Sequence, residues 1–158
     1  MSITMKSNTR VIKLIALSVI ILLVSSCALK AIPSEYTSVK NGFENVELDK
    51  LGNGKVLIYN GSDVSHKIDN TARLNIWIND KSLGQLKANE YVILDLKEGN
   101  YNFKVQHLDM VNMRSDHKVE IDSKTKAIKI KPTITSNKLE ITNELPQNFN
   151  KFSYAKKI

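Results

Sequence analysis

The sequence predicts an all-β domain, a single antiparallel β-sandwich of about seven strands. Three observations predict it. Apolar and polar residues alternate at period two through most of residues 55–141, the repeat of a strand with one face buried. Turn-forming residues recur about every 10 positions, which is the spacing of such a sandwich. No comparable helical period occurs until Phe149, Phe152 and Ala155, which would line one face of a short C-terminal helix behind Pro146.

The elements follow in order. Val56-Leu57-Ile58-Tyr59 is a short apolar run typical of a buried strand, and Asn60-Gly61-Ser62 ends it with turn chemistry. Leu74, Ile76 and Ile78 alternate with Asn75 and Trp77. The next pair, Asn79-Asp80, tolerates the left-handed backbone that a tight hairpin needs. Val92, Leu94 and Leu96 form another alternating set, and Glu98-Gly99-Asn100 turns into Tyr101, Phe103 and Val105. Val119 and Ile121 lead through Asp122-Ser123-Lys124 to Ile128 and Ile130; Pro132 stops that run, and Leu139 and Ile141 make the last strand. The domain is expected to occupy residues 55–158, with no internal repeat.

Upstream, Lys6, Arg10 and Lys13 precede an apolar run from Leu14 to Val24, and no acidic residue occurs before Glu35. A charged start, a short apolar centre and a small-residue exit describe an export signal over residues 1–26. A spanning helix would need roughly 20 apolar residues, and Ser25, Ser26 and Cys27 break this run too early. An ordinary secretory signal cut after Ala28 is the competing reading. Residues 27–54 read as a tether, because Pro33, Gly42, Gly52 and Gly54 interrupt any long element. If flexible, it would hold the domain on the order of 30 Å from its attachment point. In an alternative reading Phe43, Val46 and Leu51 make a short helical turn lying on the domain.

Val24-Ser25-Ser26-Cys27 resembles the lipobox of bacterial lipoproteins, with Val24 where Leu is usual. The resemblance implies that the Cys27 thiol is lipidated and that cleavage makes Cys27 the first residue of a membrane-tethered protein. Each buried methylene contributes ~0.8 kcal/mol, and stable anchoring takes more than one chain, which that family supplies. Ala28 is not the Asp of an inner-membrane retention signal. The expected location is thus the outer membrane, facing the periplasm, if the source is Gram-negative.

The signal holds three of the 23 basic residues and none of the 16 acidic ones, so the remainder carries 20 basic against 16 acidic side chains, a net charge of +4. Only Arg73 and Arg114 among those basic residues are arginine. Phosphate and nucleic-acid recognition favour the bidentate guanidinium, so no nucleic-acid partner is expected. Cys27 is the only cysteine. No intramolecular disulfide and no cysteine-based metal site can form, and the fold must be held by its core.

From Arg73 to Val105 the order of features is an alternating strand, Asn79-Asp80-Lys81, Leu83-Gly84, a strand ending Leu94-Asp95-Leu96, then Glu98-Gly99 and an aromatic strand. This order resembles an uncharacterised family of bacterial lipoproteins, the domain of unknown function 2846, and more distantly the PEGA β-domain. Asn79-Asp80 stands where those families carry Asp-Gly. The likeness covers about residues 55–130 and implies a β-sandwich in a lipoprotein setting; it supplies no catalytic residue.

Candidates for chemistry are few. His107, Asp109, Asp116 and His117 gather around Met110, Met113 and Arg114, and would make a metal-binding or acid–base loop; the plainer reading is a polar connection. There is no Gly-x-Ser-x-Gly elbow and no phosphate loop. Lys129 and Lys131 share one strand face and would meet an anionic lipid or glycan, or else protect a solvated edge strand. Trp77, Tyr91 and Ile93 form the most informative set. If Leu74, Ile76 and Ile78 face the core with Val92, Leu94 and Leu96, those three face outward, too apolar to be merely wet. They are either a partner surface or are covered by Phe149, Phe152 and Tyr154. The expected function is non-catalytic: a membrane-anchored binding or structural accessory domain with an envelope protein or glycan as partner, and no cofactor or metal. The alternative is an envelope-acting hydrolase or metal-dependent enzyme using the 107–117 loop.

Overall fold

Strand β1 (Lys55–Asn60) has five successive buried residues after Lys55, and its neighbours explain why. In the computed structural model, which describes residues 29–36, 46–62, 72–109 and 111–155, it lies inside a five-stranded sheet. β4 (Glu90–Asp95) pairs antiparallel on one side and β7 (Ala127–Pro132) pairs parallel on the other. Beyond β7 is β8 (Asn137–Ile141), and beyond β4 is the two-residue β9 (Ser153–Tyr154), parallel to β4. The second sheet has the order β3 (Lys81–Leu86), β2 (Leu74–Ile78), β5 (Gly99–Leu108) and β6 (Asn112–Ile121), antiparallel throughout.

The two sheets pack face to face as an all-β sandwich. The facing positions are the alternating apolar residues: Val56, Ile58, Val92, Leu94, Ile128 and Ile130 from one sheet; Leu74, Ile76, Ile78, Phe103, Val105, Val119 and Ile121 from the other. Each such side chain, fully withdrawn from water, contributes about 1.5–3 kcal/mol. Asn79 (φ 49°) and Asp80 (φ 63°) both adopt the left-handed backbone between β2 and β3, giving the tight turn their side chains favour.

Several expectations need correction. The described residues hold nine strands, and two pairings are parallel, so the sandwich is mixed. β3 escapes the period-two pattern because a bulge opposite Ile76 and Trp77 leaves Leu83 without a partner, turning it into the core. The stretch 107–117 is the end of a β5–β6 hairpin, paired from Gly99↔Ile121 to Leu108↔Asn112, with the Asp109 N–H donating to the Val111 carbonyl beyond the last rung. The C-terminal segment forms one 3-10 turn (Phe149–Lys151) and then β9, not an amphipathic helix. Asn148 enters that turn in the left-handed conformation (φ 56°).

The tether is not free of the domain. Residues 29–36 lie along the outer face of β3 and β2. Gln85 Nε2 donates to the Leu29 carbonyl (3.2 Å), Asn75 Nδ2 to the Lys30 carbonyl (2.8 Å) and Ser82 Oγ to the Pro33 carbonyl (2.6 Å). Tyr36 Oη donates to the Ile78 carbonyl (3.1 Å), and Lys81 Nζ stands 4.5 Å above the Tyr36 ring. Gly84 (φ +110°) passes beneath this strap; an added Cβ there would meet Ser34 Cβ at 3.4 Å. Residues 46–51, with a 3-10 turn at Leu48–Lys50, lie on the opposite side of the molecule against the five-stranded sheet.

Candidate functional site

The outward residues of the two sheets define the surfaces on which a site can lie. Trp77 is on β2 and Tyr91 and Ile93 are on β4, so they belong to opposite faces of the molecule and form no single patch. Tyr91 (8% exposed) and Ile93 (0%) are covered, the second of the two readings the sequence offered. They join Leu57, Tyr59, Ala127 and Leu51 in a second apolar cluster roofed by Val46, Leu48, Leu145, Phe149, Phe152 and Tyr154. The rings meet edge-on or tilted, Tyr91 to Phe149 at 5.0 Å, Tyr91 to Tyr154 at 5.5 Å and Tyr59 to Phe152 at 5.8 Å between centroids. Burial raises the phenol pKa of both Tyr91 and Tyr59. This face is a structural seam and offers no partner surface at Tyr91 or Ile93.

Lys129 and Lys131 are half-buried on β7, which is an interior strand; β8 is the edge. Lys129 stands opposite Glu140 and Lys131 opposite Lys138. Lys138 pairs with Glu140 along β8. That hydrogen bond first, and then the charges of Lys138, Lys129 and Lys131, hold the Glu140 carboxyl below its usual range. The Lys129 stem runs over Gly61, where a Cβ would lie 2.5 Å from Cε. Lys129 and Glu140 also line a cleft of about 490 Å³ with Tyr59 and Phe152. The lysine row is thus partly neutralised by the carboxylate in its midst.

The histidines do not converge. His107 is 1% exposed, with Nδ1 2.8 Å from Asn137 Oδ1, while Asn137 Nδ2 donates to the Val105 carbonyl at 3.3 Å. His107 pairs with Met113 and His117 with Phe103, four rungs away on the hairpin. Asp116 is on the other face, across from Lys104. Ser115 Oγ lies 2.8 Å from His117 Nε2, within hydrogen-bond distance, and burial lowers the His117 pKa against a smaller opposing effect of Asp116. A nucleophile and a base are therefore adjacent, but neither lines a described cavity. Among the described residues no three His, Cys, Asp or Glu side chains are placed to hold a metal ion. Cys27, His66 and Met110 lie outside the described residues, as does the whole signal.

The remaining surface is a groove of about 870 Å³ on the outer face of the four-stranded sheet. The strap residues Leu29–Pro33 form one wall. Trp77, half-buried, forms the floor with Asn75 and Gln106, and Lys104, Arg114 and Asp80 line the far side. Lys104 Nζ contacts Asp80 Oδ1 at 2.9 Å, and this hydrogen bond raises the Lys104 pKa. Sequence reasoning singled out Trp77 but missed the groove, because one wall comes from residues read as tether. The buried polar pair Asn75 and Gln85 was the available signal, since side chains of that kind on a sheet face need partners.

Comparison with models of protein families, with curated proteins and with solved structures found no match to this chain. What defines the protein is its own architecture: a mixed two-sheet β-sandwich with an N-terminal strap. No helix among the described residues is long and apolar enough to cross a membrane.

Proposed function

We propose that this protein is a lipid-anchored lipoprotein of the bacterial envelope whose β-sandwich is a non-catalytic binding or structural accessory domain. The observation that carries this reading is the sequence Val24-Ser25-Ser26-Cys27 at the end of an export-type apolar run. Outer-membrane placement and an envelope protein or glycan partner belong to the same reading, as does the likeness to the uncharacterised lipoprotein and PEGA-type families.

Feeding cells an alkyne-bearing fatty acid tests the anchor. The full chain is expected to take up the label and to fractionate with membranes, and Cys27→Ser to lose the label and remain as precursor. Mass spectrometry finding an N-terminal peptide that starts at Leu29, or an unmodified Cys27, would overturn it.

A further inference from the structure

We propose that the groove between the strap and the outer face of the four-stranded sheet binds the anionic phosphodiester headgroup of a membrane phospholipid. This deepens the lipid-anchored reading and rests on it for its geometry. One residue, Ala28, separates Leu29 from Cys27, and covalent geometry keeps their Cα atoms within about 7 Å. An acylated Cys27 therefore brings the wall of this groove to the membrane surface.

The chemistry of the lining fits that occupant. The lining holds three cations, Lys30, Lys104 and Arg114, and one carboxylate, Asp80, which is in contact with Lys104. Lys104 is held charged first by Asp80 and then by Asp116, and Arg114 is near enough to oppose them weakly. With Lys30 and Arg114 beside the Lys104–Asp80 pair, the lining carries more positive than negative charge, a balance that favours an anion. Arg114 is one of only two arginines after the signal, and its planar fork matches phosphate oxygens. Trp77 on the floor has the amphipathic ring that settles at headgroup depth. Leu29, Ile32 and Leu108 supply an apolar rim against which the glycerol and upper acyl carbons would pack.

Trp77 is the only tryptophan in the chain, so its fluorescence reports on the groove alone. The full chain in non-ionic detergent is titrated with short-chain phosphatidylglycerol, short-chain phosphatidylcholine, inorganic phosphate and a peptidoglycan disaccharide. Phosphatidylglycerol is expected to shift the Trp77 emission saturably, about tenfold more tightly than phosphatidylcholine, with Arg114→Gln and Lys104→Gln each weakening it about tenfold. Added salt is expected to weaken it as well. Equal response to both lipids, or unchanged binding in both variants, overturns the proposal. Inorganic phosphate as effective as phosphatidylglycerol overturns the lipid assignment, and a response to the disaccharide alone overturns it in favour of a glycan. The titration also separates the two readings. Cys27→Ser is expected to keep the phosphatidylglycerol response in detergent. A flat titration would therefore sink the groove and leave the anchor standing, while an unlabelled wild type would do the reverse.

Discussion

Glu35 and Ser82 hold each other by two hydrogen bonds: the Ser82 N–H donates to Glu35 Oε2 at 2.6 Å, and the Glu35 N–H donates to the Ser82 carbonyl at 2.9 Å. This pair fastens the end of the strap to β3. Hydrogen bonds to a charged group contribute about 1.5–3 kcal/mol, and these are only part-buried, so the lower end applies. Glu35→Ala is expected to cost about 1–2 kcal/mol and to speed hydrogen exchange at the Ser82 amide. Unchanged exchange there would show that the strap is held by its other contacts.

The aromatic roof over the five-stranded sheet carries a larger share of the stability. Ile93 is fully buried beneath it, and Ile93→Ala is expected to lower the unfolding free energy by about 2–5 kcal/mol. Removing residues 146–158 strips Phe149, Phe152 and Tyr154 together from Tyr59 and Tyr91, and should lower the melting temperature by more than the single substitution. Denaturant and thermal unfolding measure both. An unaltered melting point after the deletion would mean that the roof contributes nothing.

Tyr154 provides a test in the opposite direction. Its hydroxyl oxygen is buried and has no hydrogen-bond partner among the described residues. Withdrawing a hydroxyl from water without replacing its hydrogen bonds costs about 1–3 kcal/mol. Tyr154→Phe is therefore expected to leave the ring packing intact and to raise stability by up to about 1 kcal/mol. A destabilised Tyr154→Phe protein would reveal a partner for that oxygen.

His117 makes stability depend on pH. Burial lowers its pKa in the folded chain below the ordinary 6.5, so the unfolded chain takes up the proton first as pH falls. Stability is whole above pH 6.5, declines as pH drops from there toward the folded value, and levels below it. His117→Gln is expected to flatten this decline in denaturation midpoints between about pH 7.5 and 5. An unchanged slope would assign the dependence to other groups.

The parts of the fold legible in the sequence are those governed by local pattern. The alternation of Leu74, Ile76 and Ile78 marked one core face, and Asn79-Asp80 marked its turn. β3 was hidden because Ser82 and Gln85 are polar for the sake of the strap, a contact between residues about 50 positions apart in the chain. The parallel pairing of β1 with β7 leaves no local trace, since Val56–Tyr59 reads the same beside any neighbour. The same limit hid the groove: Trp77 was visible as an outward aromatic, but Leu29–Pro33 looked like linker until packed against it.

The pairing of β1 with β7 also sets an order of events. Leu57 must find Ala127, about seventy positions later, before the central sheet can close. Contacts that distant are slow to form, because the intervening chain must be brought to order first. A polypeptide appearing amino end first can therefore pair β1 with β4 early, but leaves the β7 side of β1 unmated until most of the molecule has appeared. The β2–β3 and β5–β6 hairpins, each joined by neighbours in sequence, can assemble in the meantime and give the late-arriving strands a surface to settle on.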